Sequence, residues 1–372
     1  MAPRHPRVLA LVLAGGRGGR LAPLTDHRAK PALPLAGSHR LVDVVLSNLT
    51  HSGISDVWVV EQYLPHSLND HLANGRPWDL DRTRGGLVVL PPYQGTEGEG
   101  FADGNADALA RQAPLVAEAD PDLVLVTSAD HLYTLDFREV VDTHLEAGAD
   151  LTMVTTREAP DPSQHGVVEV EDGRVTGFAY KPERPASDVV ATEVFLYDTR
   201  VLLAAVETLV ESGTELGDYG DSLVPYLLAH HTVVEHRLPG YWRDLGTVPS
   251  YHQAHQDLLA GRGVELGDPR WPVLTSVTDP RPVRVEQATE LRRSLLGGGA
   301  QVSGTVRDSV VGQGCVLEPG CVVEDAVLLD GVVVRSGVTV RRAVVDSGAV
   351  LTEDRVGGDE VLVVDRDGEP VR

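Results

Sequence analysis

Short apolar runs alternate with amphipathic stretches from residue 8 to about residue 260. Residues 8–14, 57–61, 87–90, 123–128 and 151–155 are rich in Val and Leu and predict buried strands, while 41–52, 105–119 and 137–147 carry helical spacing with Gly or Pro at their ends. This rhythm predicts an α/β fold with a Rossmann-like, mixed but mostly parallel sheet covered by helices, whose ligands gather beyond the carboxyl ends of the strands. After Gly261 the texture changes. Pro269, Pro272, Pro280 and Pro282 mark a linker, and beyond them aliphatic residues recur at every sixth position: Val310, Val316, Val322, Leu328, Val334 and Val340. Gly314 and Gly320 fall at the intervening turns. That period predicts a parallel β-helix in which each six-residue face contributes one short strand and one interior aliphatic. The chain therefore divides into residues 1–262 and residues 263–372, the second part being linker and β-helix.

Composition narrows the partners. The net charge of -23 argues against nucleic acid or an anionic membrane, and no apolar run is long enough to span a bilayer. An anionic small substrate must then be held by a few local cations. Cys315 and Cys321 have no metal-ligand company and read as buried thiols of a reducing cytosol. The apolar run after Arg4 and Arg7 has the look of a short signal peptide, but the glycine-rich turn directly behind it favours a first buried strand.

Only two lysines stand against thirty arginines, and each precedes a proline: Lys30-Pro31 and Lys181-Pro182. A lysine offers a compact point charge where arginine offers a planar fork, which suits a single phosphate oxygen in a crowded site. Upstream of Lys30, Leu13-Ala14-Gly15-Gly16-Arg17-Gly18-Gly19-Arg20 runs from strand into four glycines, so backbone N–H groups can approach phosphates with Arg20 adding charge. The run is neither a dinucleotide fingerprint nor a Walker loop. Asp130, in Ser128-Ala129-Asp130-His131-Leu132-Tyr133, follows a strand and can ligate Mg²⁺ or cap a helix; Asp244, in Gly240-Tyr241-Trp242-Arg243-Asp244-Leu245-Gly246-Thr247, offers a second carboxylate. Two carboxylates and two lysines from four distant segments suit nucleotidyl transfer, where alignment and charge neutralisation carry the rate.

With these motifs in place the chain resembles the sugar-1-phosphate nucleotidylyltransferases, and specifically the glucose-1-phosphate adenylyltransferases. The resemblance also rests on Gln62-Tyr63, His66-Ser67-Leu68, Phe178 to Pro182, Asp218-Tyr219-Gly220 and the terminal repeat. It implies a left-handed β-helix, a cytoplasmic homotetramer or a hetero-oligomer with a paralogue, and a Mg²⁺-dependent reaction of ATP with glucose 1-phosphate giving ADP-glucose for storage-glucan synthesis. By position it implies Arg20, Lys30 and Asp130 as catalytic residues. Asp130 and Asp244 would be the metal ligands, with Leu13, Ala14, Gly15, Gly16, Gln94 and Gly104 around the nucleotide. Lys181, Tyr180 and Glu193 would face the sugar phosphate.

The departures from the family cluster around the sugar. Its Glu-Lys-Pro is Tyr180-Lys181-Pro182, its Ser-Met-Gly is Ala191-Thr192-Glu193, and its Tyr-Arg-Gly-Thr-Ala-Asp is Ala102-Asp103-Gly104-Asn105-Ala106-Asp107. Glu193 or Asp103 would then read a different ring, an amino sugar such as glucosamine 1-phosphate included, or the chain would be a weakly active regulatory subunit. A scaffold role explains none of the charged residues, and a hexapeptide acyltransferase lacks a histidine in the repeat to serve as general base.

Overall fold

The computed structural model describes residues 5–16, 18–91, 102, 104–276, 281–286 and 290–371. Strand β1 (Val8–Ala14) is flanked by β2 (Asp56–Glu61) on one side, after helix α1 (Leu41–His51). Helix α2 (Pro65–Leu72) leads to β3 (Gly86–Leu90), and α3 (Asn105–Ala119) leads to β4 (Leu123–Ser128) and the short β5 (His131–Tyr133). Then follow α4 (Phe137–Ala147), β6 (Leu151–Thr156), β7 (Gly166–Glu171), β8 (Arg174–Tyr180), β9 (Val190–Asp198), α5 (Thr199–Glu211), α6 (Leu223–His230), β10 (Val233–Arg237), β11 (Trp242–Asp244) and α7 (Val248–Leu259). The nine-stranded sheet runs β3-β2-β1-β4-β9-β6-β10-β8-β7.

Every predicted strand and helix forms within one residue of its expected ends. β1 shows why. Its side chains alternate between two cores, Ala10, Val12 and Ala14 against one layer of helices and Leu9, Leu11 and Leu13 against the other, so an all-apolar run is required. Truncating a fully buried residue such as Leu11 to alanine removes about 2–5 kcal/mol. β1 to β4 are parallel, and so is the pair β6–β10. β9 enters antiparallel between β4 and β6, and β7–β8 is an antiparallel hairpin closed by Asp172-Gly173, both at positive φ.

The C-terminal part is a left-handed parallel β-helix with three sheets of five, five and six strands. Leu328, Val334 and Val340 lie inside as the six-residue period predicts, but before them the phase is displaced by one position. Val316 pairs with Val333 and Val333 with Val350, so a coil takes 17 residues there rather than three equal sixes. The interior is built by Val311, Leu317 and Val323, and then by Leu328, Val334, Val340, Val345 and Leu351. Val316 and Val322, expected inside, are half-buried, and Val310 belongs to the seam with the N-terminal part. One five-residue face per coil moves the series by one position, and the valines on both sides of the true interior conceal the shift. Cys315 and Cys321 are free and fully buried, and burial pushes their thiols up to about 12 and about 11.

The two parts meet along a closed seam. Leu21, Leu24, Leu33, Leu35 and Tyr251 pack with Val310, Val327, Leu329 and Val344. The segment after the glycine loop is tied in by polar contacts as well: Arg28 to Asp346 and Arg40 to Asp330, each at 2.8 Å. On α7, Gln256 donates to the Asp308 carbonyl at 2.9 Å. His255 donates through Nδ1 to the Tyr251 carbonyl, leaving Nε2 to accept from Ala36 N–H at 3.1 Å; burial, pushing its pKa down to about 4, keeps it neutral. The β-helix is therefore seated against the segment that carries Lys30.

Candidate functional site

The carboxyl ends of β1 and β4 lie side by side because Leu13 is paired with Ser128. Asp130 follows β4 at once, with Ala129 N–H donating to the Leu13 carbonyl at 3.1 Å. β5 and β11 then form a two-stranded ladder in which Asp244 faces His131, and this register, rather than any sequence proximity, brings the second carboxylate to the first. Lys30 stands on a single turn, Lys30–Ala32, and its side chain is 9% exposed. Its Nζ is paired with Asp130 Oδ2 and lies 3.6 Å from Asp244 Oδ1.

Burial alone would lower the Lys30 pKa, but Asp130 and Asp244 outweigh it and hold the ammonium above its ordinary value. Burial would raise Asp130; the charges of Lys30 and His131 and hydrogen bonds from Lys30 and the Ser128 hydroxyl hold it well below the usual carboxylate range. His131 received no role from the sequence, although its place directly after Asp130 was the available signal. It donates through Nδ1 to the Thr192 carbonyl at 3.0 Å, which turns Nε2 to Asp130 at 3.7 Å and Asp244 at 3.6 Å. Trp242 sets its edge against both His131 and His165, with centroids 5.2 and 5.1 Å away. One ligand atom from each of Asp130, His131 and Asp244 falls within 4.8 Å of the others, so hard carboxylate oxygens converge as a divalent cation requires.

The glycines give access. A Cβ on Gly16 would meet nothing within 4 Å, so that backbone faces open space, whereas one on Gly246 would sit 3.0 Å from Arg20 Nη2 and 3.0 Å from an Asp244 oxygen. The exposed Arg20 thus has its guanidinium beside Gly246, on the side of Asp244. Gly104, at φ +112°, backs onto Gly217, where a Cβ would lie 2.4 Å from the carbonyl group. Gln94 and Asp103 lie outside the described residues.

A cavity of about 360 Å³ joins Leu13, Gly15, Gly16 and Gly104 to Tyr180, Lys181 and Glu193. Ala14 closes the end of β1 beside it, 3% exposed. At its far end Lys181 Nζ donates to Tyr180 Oη, and Tyr180 Oη donates to Asp218 Oδ2, both at 2.8 Å. Lys181 is exposed and lies 4.4 Å from the Tyr180 ring centroid. A larger cleft of about 840 Å³, lined by Arg7, Asp56, Arg84 and Arg138 among others, sits at the opposite, amino-terminal edge of the strands, away from all of these groups.

Among the described residues no helix is long and apolar enough to cross a membrane. The family model of nucleotidyl transferases matches residues 9–261, and that of the GlmU-like C-terminal hexapeptide matches residues 282–366. A glucose-1-phosphate adenylyltransferase of Thermomicrobium roseum is 40% identical over 302 residues, covering 79% of this chain and 70% of the relative. Enzymes of the same name from Thermotoga neapolitana and Clostridium acetobutylicum are 37% and 34% identical, covering 82% and 83% of this chain and 74% and 83% of their own lengths. With a strand-end glycine loop, a buried lysine between two carboxylates and a hexapeptide coil in one chain, these matches have one reading: the chain belongs to the glucose-1-phosphate adenylyltransferase family of nucleotidyl transferases.

Proposed function

We propose that the chain transfers the adenylyl group of ATP to glucose 1-phosphate, giving ADP-glucose and pyrophosphate for storage-glucan synthesis. The observation that carries this reading is the meeting of Lys30, Asp130 and Asp244 where β1 and β4 end, beside a cavity with glycine backbone at one end and Lys181 at the other. In the reaction a phosphate oxygen of the sugar phosphate attacks the α-phosphorus. The bond from that phosphorus to the bridging oxygen breaks, and its electron pair leaves with pyrophosphate. No bond to the protein forms.

Such a displacement needs alignment and charge neutralisation more than acid–base chemistry. Leu13, Ala14, Gly15 and Gly16 line the nucleotide, with Gly104 toward the base, and Arg20 and Lys30 oppose the charge of the leaving phosphates. Lys181, steadied by Tyr180, grips the sugar phosphate. Asp130 and Asp244 fit Mg²⁺, since two close carboxylate oxygens beside a phosphate site are its usual protein donors. Such an ion, when bound, supplies further neutralisation of the polyphosphate. Ser128 fixes the Asp130 carboxylate through its hydroxyl. The assembly is a cytoplasmic homotetramer or a hetero-oligomer with a paralogue; exposed Val285, Leu291, Val350 and Val356 on the β-helix support an interface there.

The test is pyrophosphate release from ATP, UTP and dTTP, each with glucose 1-phosphate and Mg²⁺. ATP is expected to turn over fastest. Equal or faster turnover with a pyrimidine nucleotide would refute adenylyl transfer.

A further inference from the structure

Glu193 occupies a position that costs free energy twice. It lies in the middle of β9, where the pairing with β6 shifts register between Ala191 and Val194, and it holds φ +58°. A non-glycine residue in that left-handed conformation is disfavoured by about 1–2 kcal/mol, and such strain concentrates where a side chain has a task. Burial then pushes its carboxyl above the usual range, with Asp130 and Asp244 pushing the same way against His131 and Lys30.

The bulge decides where the carboxylate goes. Thr192 is fixed, its hydroxyl donating to the Val154 carbonyl and its own carbonyl accepting from His131, both at 3.0 Å. Glu193 is thereby turned into the cavity, beside Asn105, Tyr180 and Lys181. It is not part of the cation-binding group, which comprises Asp130, His131 and Asp244 alone among the described residues. No described residue donates a hydrogen bond to it. The neighbouring groups are already engaged: Asp218 accepts from Tyr180 Oη and from Asn105 N–H at 3.2 Å, and the Lys181 ammonium is directed to Tyr180. The sugar-facing end of the cavity therefore offers one carboxylate that accepts no hydrogen bond from any described residue, with His131 and Lys30 as the opposite charges in its surroundings.

We infer that Glu193 is a specificity-determining residue whose carboxylate receives an ammonium group on the sugar, so that the chain takes an amino-sugar 1-phosphate in preference to the neutral hexose phosphate. The inference rests on the nucleotidyl-transfer reading above and adds to glucose 1-phosphate a second acceptor, which Glu193 favours. A hydroxyl and an ammonium both make charge-assisted hydrogen bonds to a carboxylate, but the ammonium also brings an opposite charge to a half-buried carboxylate that stands among Asp130 and Asp244.

The experiment compares kcat/KM for glucosamine 1-phosphate and glucose 1-phosphate at fixed ATP, in the wild-type chain, Glu193→Gln and Glu193→Gly. The wild type is expected to favour the amino sugar by about tenfold or more, the scale of a charged hydrogen bond, and both variants to bring the ratio close to one. Glu193→Gln keeps the shape and removes the charge; Glu193→Gly removes the strain as well, so a folding defect in one does not hide the result in the other. Turnover of glucose 1-phosphate with a ratio that neither variant moves overturns the inference and leaves nucleotidyl transfer standing. Silence with both sugars from folded protein overturns nucleotidyl transfer and this inference with it.

Discussion

Replacing Asp346 by alanine should loosen the β-helix from the site. Its carboxylate is 1% exposed and pairs with Arg28 Nη2 at 2.8 Å, while Arg28 is 12% exposed and stands two residues before Lys30. Among the described residues neither Arg28 Nη1 nor Asp346 Oδ2 has a hydrogen-bond partner, and burial holds the Asp346 carboxyl above its usual range in spite of the arginine. Removing one member of such a buried pair leaves the other charge buried, at about 3–5 kcal/mol. Arg28 retains some solvent, so the lower end applies. With a urea m value of about 3 kcal/mol per molar, the unfolding midpoint of Asp346→Ala should fall by about 1 M. Arg28→Met should cost a similar amount, and the double variant Arg28→Met with Asp346→Leu should recover most of it, because apolar side chains fill the same seam without a desolvation cost. Urea titration followed by circular dichroism on the four chains completes the cycle. A shift below about 0.3 M for Asp346→Ala, or a double variant whose loss equals the sum of the singles, would refute the coupling.

Glu61 is 2% exposed, with Asn69 donating to one oxygen at 2.9 Å and the other unpaired; burial pushes its carboxyl up to about 7 against that hydrogen bond. Its folded pKa lies above the unfolded one, so the native state is favoured at low pH and loses stability as pH rises from about 4.5 through 7. Glu61→Gln should abolish this loss and be more stable than wild type at pH 8 by about 3 kcal/mol, a gap that closes toward pH 5; an equal gap at both pH values contradicts the assignment. Lys181→Arg should raise KM for the sugar phosphate by about tenfold with little change for ATP, since the bulkier fork displaces the charge now steadied by Tyr180. An equal rise for both substrates would mean that Lys181 does not contact the sugar phosphate.

How far the sequence led depends on the kind of information each feature carries. β1 and β4 were legible because strands buried on both faces must be continuously apolar. The direction of β9 was not, since antiparallel insertion leaves no mark on periodicity, whereas Asp172-Gly173 is a local hairpin signal. In the β-helix the six-residue face was visible and its phase held at Leu328, Val334 and Val340, but the five-residue face before them was hidden because valine occupies both inward and outward positions around Val316 and Val322. The charged residues of the site stood out as motifs, but their meeting depends on the Asp244–His131 register, a tertiary fact. The bulge that aims Glu193 is likewise invisible before the strands are paired.

The central claim is that Lys30, Asp130 and Asp244 converge to move an adenylyl group. Its most direct test is to quantify ADP-glucose and pyrophosphate from ATP and glucose 1-phosphate with Mg²⁺, for the wild-type chain and for Asp130→Asn, whose fold is checked by circular dichroism. The account predicts one pyrophosphate per ADP-glucose from the wild type, and a fall of about a thousandfold or more in the variant, as expected when a preorganised charge is removed from the reacting centre. Near-normal release by folded Asp130→Asn would contradict it.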